Sequence, residues 1–302
     1  MVSIQVAGEA LVDIVNSVAH PGGSPLNVAV GLGRLGHEVT LTTDLGTDEH
    51  GELIAEHLRS SGVQLADGSR SAVPTSTATV VLDSSSNASY EFELNCTLAQ
   101  LQASGAQLLH TGSIAAFRSP SAQRMIEIFS AAPPSQLRSY DPNLRPVLVE
   151  DRAESIRNIQ TLCSLSHVVK LSDEDAMWLY PGWDTDRVLE HLLQLGASLA
   201  VMTFGARGAE ARTRTCEVMV PSLSVATVDT VGAGDAFMAG LLHALMTSRL
   251  AQQLIAGQEL DRAELEAALQ VAAACAGMTV ARTGANPPTL SELNEFMAVA
   301  GG

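Results

Sequence analysis

Asp229-Thr230-Val231-Gly232-Ala233-Gly234-Asp235-Ala236-Phe237 is the stretch that decides how this chain is read. Two glycines and an alanine stand directly before an aspartate, and an apolar run of helical character follows. Side chains this small leave backbone N–H groups open to close approach by a bulky anion. A helix that begins at such a loop adds the positive end of its dipole, which suits a phosphate. Asp235 then stands where a base is needed beside a transferring phosphoryl group. One loop can thus stabilise developing negative charge and accept a proton. The plainer reading of Asp235 is a capping aspartate at a helix start.

Working outward, a second string lies near the other end of the chain: Pro21-Gly22-Gly23-Ser24-Pro25-Leu26-Asn27-Val28-Ala29. Together, and in this order, the two strings resemble the signatures of the ribokinase-like (PfkB) family of carbohydrate kinases. The resemblance runs over nearly the whole chain. It implies an α/β fold of three layers, α/β/α, with a mostly parallel central sheet and a small β-sheet lid. It also implies a single kinase domain over residues 1–302, with the lid formed by about 9–19 and 73–96.

Composition narrows the alternatives. A net charge of −16 argues against a nucleic-acid partner and against an anionic membrane surface. Lys170 is the only lysine, and no Gly-x-x-x-x-Gly-Lys-[Ser/Thr] string occurs, which excludes a P-loop enzyme. Phosphate recognition must therefore rely on backbone amides and arginine. Cys96, Cys163, Cys216 and Cys275 are scattered, with neither zinc-site spacing nor a disulfide framework. Met1 leads straight into an apolar strand and no apolar run reaches membrane-spanning length, so a cytoplasmic protein is expected.

Short apolar runs alternate with amphipathic stretches. Ser3–Ala7, Val39–Thr43, Gln107–His110, Arg138–Tyr140, His167–Lys170 and Leu199–Thr203 read as strands, with helices between them. That alternation predicts a parallel sheet covered on both faces, with ligands at the carboxyl ends of the strands. Glu9 to Val18 reads as a continuing strand. Thr77–Leu82 and Ala88–Leu94 read as a hairpin around the polar turn Asp83-Ser84-Ser85-Ser86-Asn87. The chain after Ala233 reads as mainly helical.

The resemblance assigns roles residue by residue. Asp235 would be the base, with the amides of Gly232, Ala233 and Gly234 around the γ-phosphate. Asp13, Gly22, Gly23 and Asn27 would bind the sugar, and Phe92 would cover its face. Asp141-Pro142-Asn143-Leu144-Arg145 resembles a segment of fructokinases and 2-keto-3-deoxygluconate kinases; Arg145 would reach a phosphate or a carboxylate, or form a loop salt bridge. Lys170, Ser172, Thr203, Gly205 and Gly208 would face ATP. Ser172 and Asp175 occupy positions where many members carry Asn and Glu. The shorter carboxylate of Asp175 would reach Mg2+ through water, and the stretch also fits a helix cap with an acidic first turn. Asp229 and the Val231 carbonyl match a monovalent-cation (K+) site.

Gly31-Leu32-Gly33-Arg34-Leu35-Gly36 fits a dinucleotide pattern, but its glycines lie within or at the end of a helix. Close helix packing with Gly36 as the stop accounts for them better. The expectation is an ATP-dependent sugar kinase, most similar to fructokinases. The alternatives are 2-keto-3-deoxygluconate kinase, ribokinase, nucleoside kinase, a sugar sensor on the same fold and, from the dinucleotide pattern, an oxidoreductase. Open lid edges that could pair with a second copy point to a homodimer as a further partner.

Overall fold

A computed structural model describes residues 2–82 and 88–300. In chain order the strands begin β1 (Ser3–Ala7), β2 (Leu11–Val15), β3 (Val18–Gly22), β4 (Glu38–Thr42), β5 (Leu45–Gly46), β6 (Val63–Leu65), β7 (Arg70–Ser71), β8 (Ser76–Leu82) and β9 (Ala88–Glu93). They continue β10 (Leu108–Gly112), β11 (Leu137–Asp141), β12 (Val168–Ser172), β13 (Leu199–Thr203), β14 (Ala209–Arg212) and β15 (Glu217–Val220). The helices are α1 (Ser24–Arg34), α2 (Glu49–Ser60), α3 (Ile114–Phe117), α4 (Ser121–Ala131), α5 (Arg152–Leu165) and α6 (Asp173–Leu179). After them come α7 (Thr185–Leu195), α8 (Ala233–Thr247), α9 (Leu250–Ile255), α10 (Arg262–Val280) and α11 (Leu290–Ala300).

The large sheet has nine strands in the order β15-β14-β13-β12-β11-β10-β1-β4-β6. From β13 to β6 every pairing is parallel, and β14 and β15 close one edge as an antiparallel hairpin. Alternation along the strands divides the core. Ile4, Val6, Val168 and Val201 pack with α1, α8 and α10 on one face. Ala7, Val169, Leu171 and Met202 pack with α3, α4, α5 and α7 on the other. This is the three-layer arrangement that the sequence predicts.

The six predicted sheet strands all form. β6, β14, β15 and helix α9 were not anticipated; β6 is three residues long and β14 reads Ala-Glu-Ala-Arg, so neither carries an apolar run. The predicted single strand over Glu9–Val18 does not form. The chain makes a hairpin there, because Asn16 and Ser17 adopt φ values of 51° and 63° and turn β2 back into β3. Glu9 is no strand residue but the buried link between β1 and β2. The lid sheet runs β3-β2-β8-β9, with β2 parallel to β8. The turn Asp83–Asn87 lies outside the described residues.

Helices α1 and α8 pack in close contact. A Cβ on Gly31 would lie 2.6 Å from the Cβ of Ala239, so the helices approach only because that position is bare. Gly36 follows α1 with φ 86°. The dinucleotide-like glycines thus serve helix packing and termination. This contact brings the N-termini of α1 and α8 together at the carboxyl end of the sheet. Among the described residues, no helix is long and apolar enough to cross a membrane.

Candidate active site

Asp235 lies in the first turn of α8 and is 6% exposed. Its Oδ1 accepts from Ser24 Oγ at 2.6 Å and from Asn143 Nδ2 at 3.2 Å, and its Oδ2 accepts from Asn27 Nδ2 at 2.9 Å. Three donors from α1 and the β11 loop therefore fix the carboxylate. The loop before it turns at Gly232, where φ is 75° and an added Cβ would lie 2.6 Å from that of Ala285. Both facts require glycine. Gly234 is exposed while Asp235 is buried. As first-turn groups, the amides of Gly234 and Asp235 have no partner inside the helix and point toward any anion at its N-terminus. The Ala233 amide donates to the Thr230 carbonyl at 3.3 Å, a long bond.

Beneath this loop, Lys170 on β12 forms a buried ion pair with Asp141 on β11, Nζ to Oδ2 at 2.8 Å. The ammonium lies 3.8 Å from where a Cβ on Gly234 would stand. Burial lifts the Asp141 carboxyl to about 6; Lys170 opposes the shift, and the carboxylates of Asp175 and Asp235 add to it. The only lysine of the chain is thus set against the anion loop, with a counter-charge on the adjacent strand.

Asp175 is drawn fully into local structure. Its Oδ2 accepts from the Ser172 amide at 2.9 Å and from Ser172 Oγ at 2.8 Å, closing a capping box on α6. Its Oδ1 accepts from the Leu144 amide at 2.7 Å. The capping role seen in the sequence is present, and direct coordination of a metal would have to compete with these bonds. Asp229 bridges two loops: Oδ1 accepts from the Val231 amide at 3.0 Å and Oδ2 from the Gly284 amide at 2.9 Å. Those bonds hold its carboxyl below the usual range. Asp229, Val231 and the Gly284 turn are therefore gathered at one place.

On the lid, Asp13 of β2 lies opposite His20 of β3 and Ala78 of β8, and Ala78 lies opposite Phe92 of β9. Cross-strand neighbours share a face, so Asp13, His20, Ala78 and Phe92 line one side of the lid. Burial pushes the Asp13 carboxyl up, against the charges of Arg145 and His20. A Cβ on Gly22 would lie 2.1 Å from Asp13 Oδ2, so the carboxylate rests on bare backbone. Gly23 follows directly and leads into α1. Arg145 folds over its own loop, donating from Nη1 to Asn143 Oδ1 at 2.6 Å.

Thr203 ends β13 at the carboxyl end of the sheet, and Gly205 and Gly208 follow it. A Cβ on Gly208 would lie 2.1 Å from the Val220 carbonyl, so that glycine also serves the β14–β15 hairpin.

Sequence reading missed Ser24, His20, Glu9 and the pairing of Asp141 with Lys170. Glu9 Oε2 accepts from the Ala115 amide at 2.9 Å and Oε1 from the Ile114 amide at 3.3 Å, and burial lifts its carboxyl to about 7. Ser24 and Asn143 lie 211 and 92 residues from Asp235 in the chain, so no local spacing reveals their bonds to it.

Comparison with known proteins agrees with this fold. Residues 4–292 match the family described as pfkB family carbohydrate kinase. The chain is 33% identical over 264 residues to a fructokinase of Rhizobium leguminosarum bv. trifolii, covering 82% of this chain and 81% of that protein. It is 31% identical over 312 residues to probable fructokinase-4 of Arabidopsis thaliana, covering 97% and 92%. Among solved structures, an ATP-bound fructokinase of Xylella fastidiosa superposes with a TM-score of 0.87 at 28% identity over 99% of both chains. A double-mutant fructokinase of Vibrio cholerae O395, bound to fructose, ADP and a potassium ion, gives 0.82 at 28% identity over 98% of both. With the match spanning nearly every residue and an aspartate held at the anion loop, this chain belongs to the pfkB family of carbohydrate kinases.

Proposed function

We propose that the protein is a fructokinase, transferring the γ-phosphoryl group of ATP to a primary hydroxyl of fructose. The observation that carries this reading is Asp235, buried, fixed by three donors and placed at the start of α8 beside open amides. Its carboxylate takes the proton of the attacking hydroxyl, while the amides of Gly234 and Asp235 and the helix dipole meet the charge on the transferring group. Lys170 adds a point charge behind the loop. Most of the acceleration in such a transfer comes from positioning and charge stabilisation.

Asp13 and Asn27 supply hydroxyl acceptors and donors to the sugar, Gly22 and Gly23 let the backbone approach it, and Phe92 covers its face. Ser172, Thr203 and the Gly205–Gly208 turn form the nucleotide side. Mg2+ fits this chain as an ion carried with the nucleotide. Only the remaining lone pair of Asp175 Oδ1 is left for it, which suits contact through water. Bound there, Mg2+ would neutralise charge on the β- and γ-phosphates. Asp229 and the Val231 carbonyl are the residues proposed for K+.

Turnover decides the reading. Wild type and Asp235→Asn are assayed with ATP, Mg2+ and K+ on fructose, ribose, 2-keto-3-deoxygluconate, adenosine and aminoimidazole riboside. Turnover of fructose that disappears on substitution is expected. Preference for another acceptor would replace the substrate and keep the mechanism. No turnover at all, with a sugar-induced thermal shift, would instead indicate a sensor. Among the described residues, the outer lid strands β3 and β9 each leave one edge unpaired in the sheet order, and we propose a dimer through them, which sedimentation at graded concentrations tests.

A further inference from the structure

Five residues, Asp141 to Arg145, touch three parts of the site. Asp141 pairs with Lys170, Asn143 donates to Asp235, and the Leu144 amide donates to Asp175, while Arg145 folds back on Asn143. Asn143 is the middle of this strap. It has φ 33°, in the left-handed region that asparagine tolerates better than most residues. Its Oδ1 accepts from Arg145 Nη1 at 2.6 Å and its Nδ2 donates to Asp235 Oδ1 at 3.2 Å. A guanidinium offers no acceptor and an ionised carboxylate no donor, so only one orientation of the amide satisfies both neighbours.

We infer that Asn143 is a positioning residue through which Arg145 acts on the base: Arg145 fixes the Asn143 amide, and that amide holds Asp235 Oδ1. The inference rests on the kinase reading. Arg145 pins the Asn143 carbonyl, and the opposite end of the same amide aims the base. Ser24 and Asn27 hold the carboxylate from α1, and the strap supplies the third donor, whose direction Arg145 sets.

The plain alternative is that Asn143 is there only for its backbone conformation. Glycine separates the two, since Asn143→Gly keeps the left-handed turn and deletes the amide. With the full-length enzyme, Asn143→Gly is expected to lower kcat about tenfold or more while the KM values for sugar and ATP stay within about threefold. Arg145→Met lowers kcat similarly. The double variant loses no more kcat than Asn143→Gly alone, because both changes cut one relay. Wild-type kcat in Asn143→Gly, or losses that multiply, would overturn the proposal.

A second readout is independent of turnover. In a 15N spectrum the Asn143 side-chain amide is identified by its disappearance in Asn143→Gly. It must shift in both Arg145→Met and Asp235→Asn; a signal indifferent to either sinks the relay even if no sugar tested is phosphorylated. Turnover of fructose by the wild type checks the kinase reading separately.

Discussion

The floor and the lid of this site hold their carboxylates in opposite ways. On the floor, Asp235 is 6% exposed and takes three side-chain hydrogen bonds from two other segments. On the lid, Asp13 is only partly buried, and the groups acting on it are the charges of Arg145 and His20 and the bare backbone at Gly22. Fixed dipoles already aimed at the reacting atoms cost no reorganisation when reaction occurs. A carboxylate with few fixed partners has lone pairs to give a ligand. On the proposed function the floor serves the chemical step and the lid recognition, and substitutions in the two should affect different kinetic constants.

The largest effect expected is on the floor. Asp235→Asn should lower kcat by about 10³-fold, within the range of general-base losses, with the sugar KM changed little. A sugar KM that rose in proportion would erase the distinction between floor and lid.

Lys170→Met comes next. It leaves Asp141 buried without its counter-charge, and removal of one partner of such a pair costs about 3–5 kcal/mol. Thermal melting should show a large drop, and adding Asp141→Asn should recover most of it without restoring turnover. Recovery of turnover as well would show that Lys170 serves stability alone.

Asp13→Asn should raise the fructose KM roughly tenfold or more, as expected when a charged hydrogen-bond partner is lost, with kcat within about threefold. A kcat loss as deep as that of Asp235→Asn would move Asp13 from recognition to the chemical step.

The smallest effect concerns the joint between the two regions. Glu9 links β1 to the lid, and burial lifts its carboxyl from 4.5 to about 7. The folded chain therefore holds this proton more tightly than the unfolded chain. The resulting stability is complete below pH 4.5 and is lost as pH rises to about 7. Relative to Glu9→Gln, the wild-type melting temperature should fall by roughly 5 °C across that window. Parallel profiles for the two proteins would remove Glu9 as the source.

How much of this was legible in the sequence follows the same division. The parallel strands other than the short edge strand β6 could be read because they are largely buried and apolar. β3 could not, since Val18-Ala19-His20-Pro21-Gly22 has neither apolar alternation nor a free amide at its proline, as suits an edge strand. At the site, Asp235 announced itself through the small residues that precede it, because open amides need them locally. Its holders did not. Ser24 is the first residue of α1, directly after Gly23, and nothing in Ser-Pro-Leu-Asn says that its hydroxyl meets a distant aspartate. Lys170 was visible as the only lysine, but its pairing with Asp141 is a matter of strand register: parallel strands β11 and β12 set the two side by side.

The packing of α1 on α8 also bears on how the protein is made. Ser24 and Asp235 are separated by 211 residues, and β1 lies in mid-sheet between β10 and β4. A ribosome therefore extrudes α1 long before its partner helix exists. During that interval α1, whose Leu26, Val28, Val30 and Leu32 are fully enclosed in the finished molecule, lacks the surface that α8 will provide. Contacts this distant in sequence make folding slow and leave apolar surface exposed to aggregation. The constellation around Asp235 is among the last features to be completed, so a prematurely terminated chain that lacks α8 cannot be a partial enzyme.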